Sequence, residues 1–240
     1  MTDGAIVVGA SSGIGEALAR ALAADGYEVG LASRRVERLK AIGAELPTKA
    51  YVAYVDLTET ERAREAFVEL TDAMDSVDLV VISSGVGFLN HDLEWGPERE
   101  TIDVNVRGFT AVAAAALAHF EANGTDGNLV GISSVAAGFG NGAAPAYNAS
   151  KAFVSTYLEG LRYRQAGRDA DVTITTVEPG FVDTEMAMGE FWMCSPETAA
   201  RQILRAVERD RRHVYVTRRW RLVAWLFSAL PERALERLFT

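Results

Sequence analysis

Short apolar runs rich in β-branched residues alternate with longer stretches of helical periodicity along most of this chain. The runs at 5–8, 29–32, 50–55, 79–82, 129–132, 172–177 and 214–216 are largely continuous in apolar character. That is the signature of strands buried on both faces of a sheet. Between the first two, Ile14, Ala17, Leu18, Ala21 and Leu22 recur at the spacing of one buried helix face. Further helices are predicted at about 36–46, 59–74, 97–122, 147–166 and 196–209. Ser195-Pro196-Glu197 supplies the last of these with a capping hydroxyl, a proline at the first helical position and an acid at the positive end of the dipole. The alternation predicts an α/β fold: one domain, a doubly wound parallel sheet of about seven strands with helices on both faces and right-handed crossovers. Ligands in such sheets bind beyond the carboxyl ends of the strands, where the strand order reverses. The residues just after each strand are therefore the place to look for function. The domain is expected to occupy residues 1–216, with 217–240 an amphipathic helical tail of the same domain.

Bulk properties narrow the class. The chain has 240 residues, 49% hydrophobic and 24% charged, enough apolar content for a sizeable core. A net charge of -9 argues against general attraction to nucleic acid. The single cysteine, Cys194, permits no intramolecular disulfide and suits a reducing cytoplasm. Met1-Thr2-Asp3-Gly4 has no basic leader region, and no apolar stretch approaches the roughly 20 residues needed to span a bilayer. His91, His119 and His213 are scattered without metal-ligand spacing, so no catalytic metal is expected.

Two stretches carry chemistry. The first strand runs into Gly9-Ala10-Ser11-Ser12-Gly13-Ile14-Gly15, which opens a helix. Glycines there allow a sharp turn and close approach of the backbone to a ligand. The helix start offers unpaired N–H groups and a positive dipole end to a pyrophosphate. A dinucleotide is the expected ligand. The second strand ends in Ser33-Arg34-Arg35, where an NAD site usually has an acid for the ribose 2′-hydroxyl. A carboxylate would repel a 2′-phosphate and a guanidinium can bind it, so NADP(H) is favoured. Asp56, before Leu57 and Thr58, is read either as an acceptor for the adenine amino group or as a helix cap.

The other stretch is Tyr147-Asn148-Ala149-Ser150-Lys151. Tyr147 and Lys151 share one helix face. An ammonium beside the phenol is expected to lower its pKa and make it a general acid/base. Ser134 ends the fifth strand 13 residues earlier, and Asn105 lies in the helix before that strand.

Taken together, Gly9, Gly13, Gly15, Asp56, Asn105, Ser134, Tyr147, Lys151 and Pro179-Gly180 make the chain resemble the short-chain dehydrogenase/reductase family, from residue 9 to about 184, with strand periodicity extending the match to about 216. The resemblance implies a Rossmann-type fold and hydride transfer between NADP(H) and a small-molecule carbonyl or alcohol. It assigns proton transfer to Tyr147, a hydrogen bond to the substrate oxygen to Ser134, and the nicotinamide ribose to Lys151. Asn105 would kink its helix and anchor a water that relays protons through Lys151. Pro179, Gly180, Val182 and Thr184 resemble the loop that contacts the nicotinamide amide and the phosphates. Where the family usually has Asn-Asn-Ala-Gly after the fourth strand, this chain has Ile82-Ser83-Ser84-Gly85, which puts local cofactor detail in doubt and leaves the reaction untouched. A 3-oxoacyl-thioester reductase of the same family and a non-catalytic NADP-binding regulator are the competing readings.

Residues 185–195 fall where the family places its substrate lid. Met186, Met188, Met193, Phe191 and Trp192 suggest a bulky, adaptable apolar pocket, or else a loop covering the core. The Ala-rich helices at 107–122 and 147–166 are expected to pair in a homodimer or homotetramer. In the tail, Leu222, Trp225, Leu226, Ala229 and Leu230 form an apolar stripe flanked by Arg218, Arg219, Arg221, Arg233 and Arg237. Such a stripe is expected to pack on its own domain or on a partner subunit, with a membrane surface as the less favoured cover.

Overall fold

The computed structural model describes residues 3–168, 170–186 and 191–230. Within them every expected strand forms: β1 (Gly4–Val8), β2 (Glu28–Ser33), β3 (Ala50–Tyr54), β4 (Leu79–Ile82), β5 (Gly127–Ile132), β6 (Val172–Pro179) and β7 (His213–Val216). They make one parallel sheet in the order β3-β2-β1-β4-β5-β6-β7. Val8 at the end of β1 is in register with Ala32 of β2 on one side and Ile82 of β4 on the other. The order reverses between β1 and β4, so the crevice beyond their carboxyl ends is the ligand-binding position of the fold.

Helices cover both faces. On one, α3 (Thr60–Ala73), α5 (Phe109–Asn123) and α6 (Pro145–Gln165) bury Phe67, Phe109, Phe120 and Leu158. On the other, α1 (Gly13–Ala24), α2 (Val36–Glu45) and α7 (Pro196–Val207) bury Leu18, Leu22, Leu39 and Ile203. Each such side chain contributes roughly 1.5–3 kcal/mol by leaving water. The expected start of α7 is present, since the Ser195 hydroxyl accepts from Thr198 N at 3.3 Å and Pro196 is the first helical residue.

The single helix expected at 97–122 is divided. α4 (Trp95–Ile102) passes through one π-helical turn, Asp103–Gly108, into α5. That turn holds Asn105, and its side chain clasps the strand-β4 loop: Val86 N donates to Oδ1 at 2.9 Å and Nδ2 donates to Val86 O at 2.8 Å. At its end, a Cβ on Gly108 would come within 2.4 Å of Leu57. Periodicity does not reveal a π turn, because flanking residues keep their apolar faces. Such bulges recur at functional sites.

The tail forms α8 (Trp220–Ala229), but its orientation differs from the expected one. Leu222 (72% exposed), Trp225 (69%) and Leu226 (51%) face outward. Trp220, Val223 and Phe227 face inward and line a cavity beside β7 and a short 3-10 turn, Val135–Gly138. α8 is apolar on both faces, and Trp220, Val223 and Phe227, at i, i+3 and i+7, take the inner one. Leu230 is only half-buried; Arg233 and Arg237 lie outside the described residues, as does the side chain of Ala229. No helix among the described residues is long and apolar enough to cross a membrane.

Candidate active site

Along the carboxyl edge of the sheet runs a cavity of about 750 Å³. Every candidate catalytic or cofactor-binding residue named from the sequence borders it except Gly15 and Asn105. At one end Gly9 turns the chain after β1 with φ +93°, and Gly13 opens α1 with φ +55°. Those backbone conformations favour glycine. Gly15 has no room for a side chain, as a Cβ would sit 2.1 Å from Gly9 O. Thr184 stands over the loop, with its methyl 2.9 Å from where a Gly13 Cβ would be. These residues leave a side-chain-free cradle before a helix N-terminus, and a pyrophosphate fits it.

The rim at the end of β2 carries no acid. Ser33 Oγ accepts from Arg35 N at 3.1 Å. Arg35 then reaches back across the glycine loop, donating from Nε to Ser11 Oγ at 3.1 Å and from Nη2 to Ser12 Oγ at 2.5 Å. Arg34 is exposed and borders the same cavity. Asp56 Oδ1 accepts from Thr58 N and Thr58 Oγ1 at 3.0 and 2.8 Å, closing the turn before α3; the cap position of that helix is Glu59, so Asp56 is not its cap. The turn after β4 is closed by Ser83 N and Ser84 N, both donating to Val8 O. Gly85 lies where a Cβ would come 3.1 Å from Lys151 Nζ and 3.4 Å from Asn105 Oδ1.

At the other end, β5, α6 and the π turn bring four polar side chains together. The Tyr147 phenol is hydrogen-bonded to the Ser134 hydroxyl. Lys151 is buried on the same helix face, its Nζ donating to Ile132 O at 3.1 Å and lying 5.7 Å from the centre of the Tyr147 ring. Asn105 Nδ2 donates to Ser150 Oγ at 2.9 Å, which ties the π turn to α6 next to Lys151. The electrostatics differ from the sequence expectation. Burial raises the Tyr147 pKa above its ordinary value, and the Ser134 hydrogen bond offsets this only in part. Burial also lowers Lys151 to about 8. The ammonium is directed at a backbone carbonyl instead of the phenol oxygen, so desolvation wins over charge–charge attraction. A phenol held above its usual range keeps its proton, and the site as built is set to donate one.

Sequence reasoning missed two sets of residues here. Ser155 Oγ lies 2.8 Å from both Ser133 Oγ and the buried Glu178 Oε1. Ser133 Oγ donates to Lys151 O at 2.8 Å, so this chain links β5, α6 and β6 behind the reacting groups. Hydroxyls and an acid inside strands and helices leave no periodic signal. The second set is the apolar wall of Phe139, Phe181, Trp220, Val223 and Phe227, which Phe191 of the lid joins. Trp220 lies flat on Gly180, where a Cβ would meet its ring at 2.0 Å. The i, i+3, i+7 spacing of Trp220, Val223 and Phe227 was visible and could have shown the inner face. The lid is pinned at its base: Val182 pairs with Cys194, and Asp183 N donates to Cys194 O at 2.9 Å. Arg219 holds its far side, donating to Trp192 O at 2.6 Å with its guanidinium over the Trp192 ring. Met186 and Phe191 border the cavity, which favours the pocket reading of the lid; Met188 lies outside the described residues.

Comparison with known proteins gives consistent matches. A family model described as short chain dehydrogenase matches residues 3–193. An uncharacterized oxidoreductase of Mycobacterium tuberculosis is 33% identical over 245 aligned residues, spanning 97% of this chain and 95% of that protein. A sulfoacetaldehyde reductase of Chromohalobacter salexigens is 30% identical over 193 residues, 78% of this chain and 76% of its own. Among solved structures, an alcohol dehydrogenase from the archaeon Thermococcus sibiricus, complexed with 5-hydroxy-NADP, superposes with a TM-score of 0.79 at 25% identity over 90% of this chain and 96% of that one. A short chain dehydrogenase from Burkholderia cenocepacia in complex with NADP gives 0.84 over 100% and 98%, where 23% identity speaks to the fold.

Proposed function

The chain belongs to the short chain dehydrogenase family, and on that basis we propose that it is an NADP(H)-dependent oxidoreductase acting on a bulky apolar carbonyl or alcohol, with Tyr147 as its acid/base. The observation that carries this reading is the gathering of Tyr147, Ser134 and buried Lys151 on one apolar-walled cavity. When bound, the cofactor would donate the hydride in carbonyl reduction and accept it in alcohol oxidation. Gly9, Gly13, Gly15 and the start of α1 would hold its pyrophosphate, and Arg34 and Arg35 its 2′-phosphate. The NADP-type ligands of the two solved relatives support that assignment. Ser134 donates to the substrate oxygen and positions it against the Tyr147 hydroxyl. Tyr147 then gives up its proton as negative charge develops on that oxygen. Lys151 Nζ balances the phenolate from within the same helix face, and Asn105 fixes the backbone beside it. The test is to follow NADPH absorbance over a panel of aliphatic and aromatic ketones and aldehydes of increasing size. Turnover is expected to favour the larger apolar members; no turnover of any carbonyl would overturn the reading.

Two further outcomes follow. Lys151 acts as a cation, and burial sets its pKa to about 8. It is charged below that value and neutral above it, so kcat/KM in the reductive direction should fall as pH rises through about 8. A rate flat or rising across that range would contradict the role given to Lys151. The wall residues should set size preference. Phe227→Ala is expected to raise KM for a bulky ketone about tenfold and leave a small ketone within about twofold. Equal effects on both would show that Phe227 supports the fold and not the substrate.

A further inference from the structure

The mouth of the cavity is the most apolar part of the surface. Of the 14 large apolar side chains exposed among the described residues, eight lie on three segments: the loop after β4, the lid and α8. Each segment also contributes to the cavity wall, through Leu89, Phe191 and Phe227 respectively. Two of the four tryptophans, Trp192 (45% exposed) and Trp225 (69%), stand on the lid and on α8. Tryptophan exposed in this way is characteristic of side chains that sit at a membrane–water boundary, with an apolar body and a polar N–H. An exposed apolar patch rimmed by polar groups marks an interaction site. Charge is uneven as well. Residues 217–240 hold five arginines and two glutamates, in a chain whose net charge is -9. Arg218 and Arg221 are exposed beside Leu222 and Leu226. α8 thus combines an inner wall of the cavity with an outer apolar face and an arginine edge.

We propose that this rim is a lipid-docking face: α8 and Trp192 of the lid seat on an anionic bilayer surface with the cavity opening toward it. Apolar substrate dissolved in the bilayer would then reach the cavity without crossing water; this second half rests on the function proposed above, whereas the docking does not. A lipid surface suits the observations better than a second copy of the chain. A two-fold contact centred on Arg218 and Arg221 would set the arginines of one copy against those of the other, and like charges repel. A lipid headgroup layer supplies phosphates to the arginines and a boundary region for the tryptophans.

The test uses the full chain and vesicle co-sedimentation, with phosphatidylcholine alone and with equal parts phosphatidylcholine and phosphatidylglycerol. We expect binding to the mixed vesicles, on the order of tenfold stronger than to phosphatidylcholine, weakened by salt and accompanied by a blue shift of tryptophan emission. Leu222→Gln, Trp225→Gln and Leu226→Gln together should abolish sedimentation and leave turnover of a water-soluble ketone intact. Arg218→Glu with Arg221→Glu should release the protein from mixed vesicles even if the first variant folds poorly. The proposal is overturned if the parent protein leaves both vesicle types in the supernatant, whether because a second copy or the chain's own last residues cover the face. It is equally overturned if both variants sediment like the parent. Sedimentation is read without any substrate, so a failed carbonyl assay with intact vesicle binding would remove the proposed reaction and leave the docking.

Discussion

Tyr147→Phe is expected to lower kcat/KM for carbonyl reduction by about 10³-fold, some 4 kcal/mol of transition-state stabilisation, while NADPH affinity stays within about threefold of the parent. The ring remains in the substituted protein and only the transferable proton is lost. The neighbouring groups predict the size of the effect. Ser134 is hydrogen-bonded to the phenol, and the other near cation, Lys151, donates to Ile132 O and lies 5.7 Å from the ring centre. Neither can replace the phenol, because Ser134 is too weak an acid and Lys151 is turned away. Ser134→Ala should therefore cost less, since the proton donor survives and only alignment of the substrate oxygen suffers. The contrast is measured by steady-state kinetics beside a fluorescence titration of NADPH. Loss of NADPH binding in Tyr147→Phe would mean that the ring, and not the proton, is what the site needs. Retention of more than about a tenth of the parent activity would remove Tyr147 from the acid/base role.

Much of this architecture was legible because the relevant signals are local. Continuous apolar runs mark the parallel strands, since both faces of the sheet are covered by helices. The positions after β1, β5 and within α6 follow from strand ends and a four-residue helix spacing, and the structure gathers them on one cavity. What could not be read depends on three-dimensional competition. The π turn at Asp103–Gly108 arises because Asn105 bonds to Val86, 19 residues away, and no periodicity encodes that. The raised Tyr147 pKa reflects burial, which only the packed fold sets, while the spacing to Lys151 suggested the opposite direction. α8 was ambiguous for a different reason. Both of its faces are apolar, and which one turned inward was decided by the fit of Trp220 on Gly180. The consequence is functional: Trp220, Val223 and Phe227 form part of the cavity wall, so the tail is not an appendage that can be removed without touching the site.

Replacing Arg34 and Arg35 together by leucine should weaken NADPH binding about 100-fold, or about 2.8 kcal/mol, and leave NADH within about twofold. The argument rests on what surrounds the end of β2. Ser33 stands where an acid would otherwise meet a ribose hydroxyl, and its Oγ accepts from the Arg35 backbone. Arg35 is held over the glycine loop by Ser11 and Ser12, with its Nη1 3.8 Å from Glu185 of the lid. That acid is largely exposed, so water screens its pull on the guanidinium and a phosphate can displace it. Arg34 adds a second cation on the open side of the same cavity. The interaction is with a doubly charged group near the surface, so the preference for NADPH should shrink as ionic strength rises, while NADH binding changes little. Adding Ser33→Asp to the double variant should invert the preference. The new carboxylate would accept from a 2′-hydroxyl and repel a 2′-phosphate. Equal affinities of the parent for the two cofactors, or an unchanged ratio in the double variant, would show that neither arginine reads the phosphate and that selection lies elsewhere along the crevice.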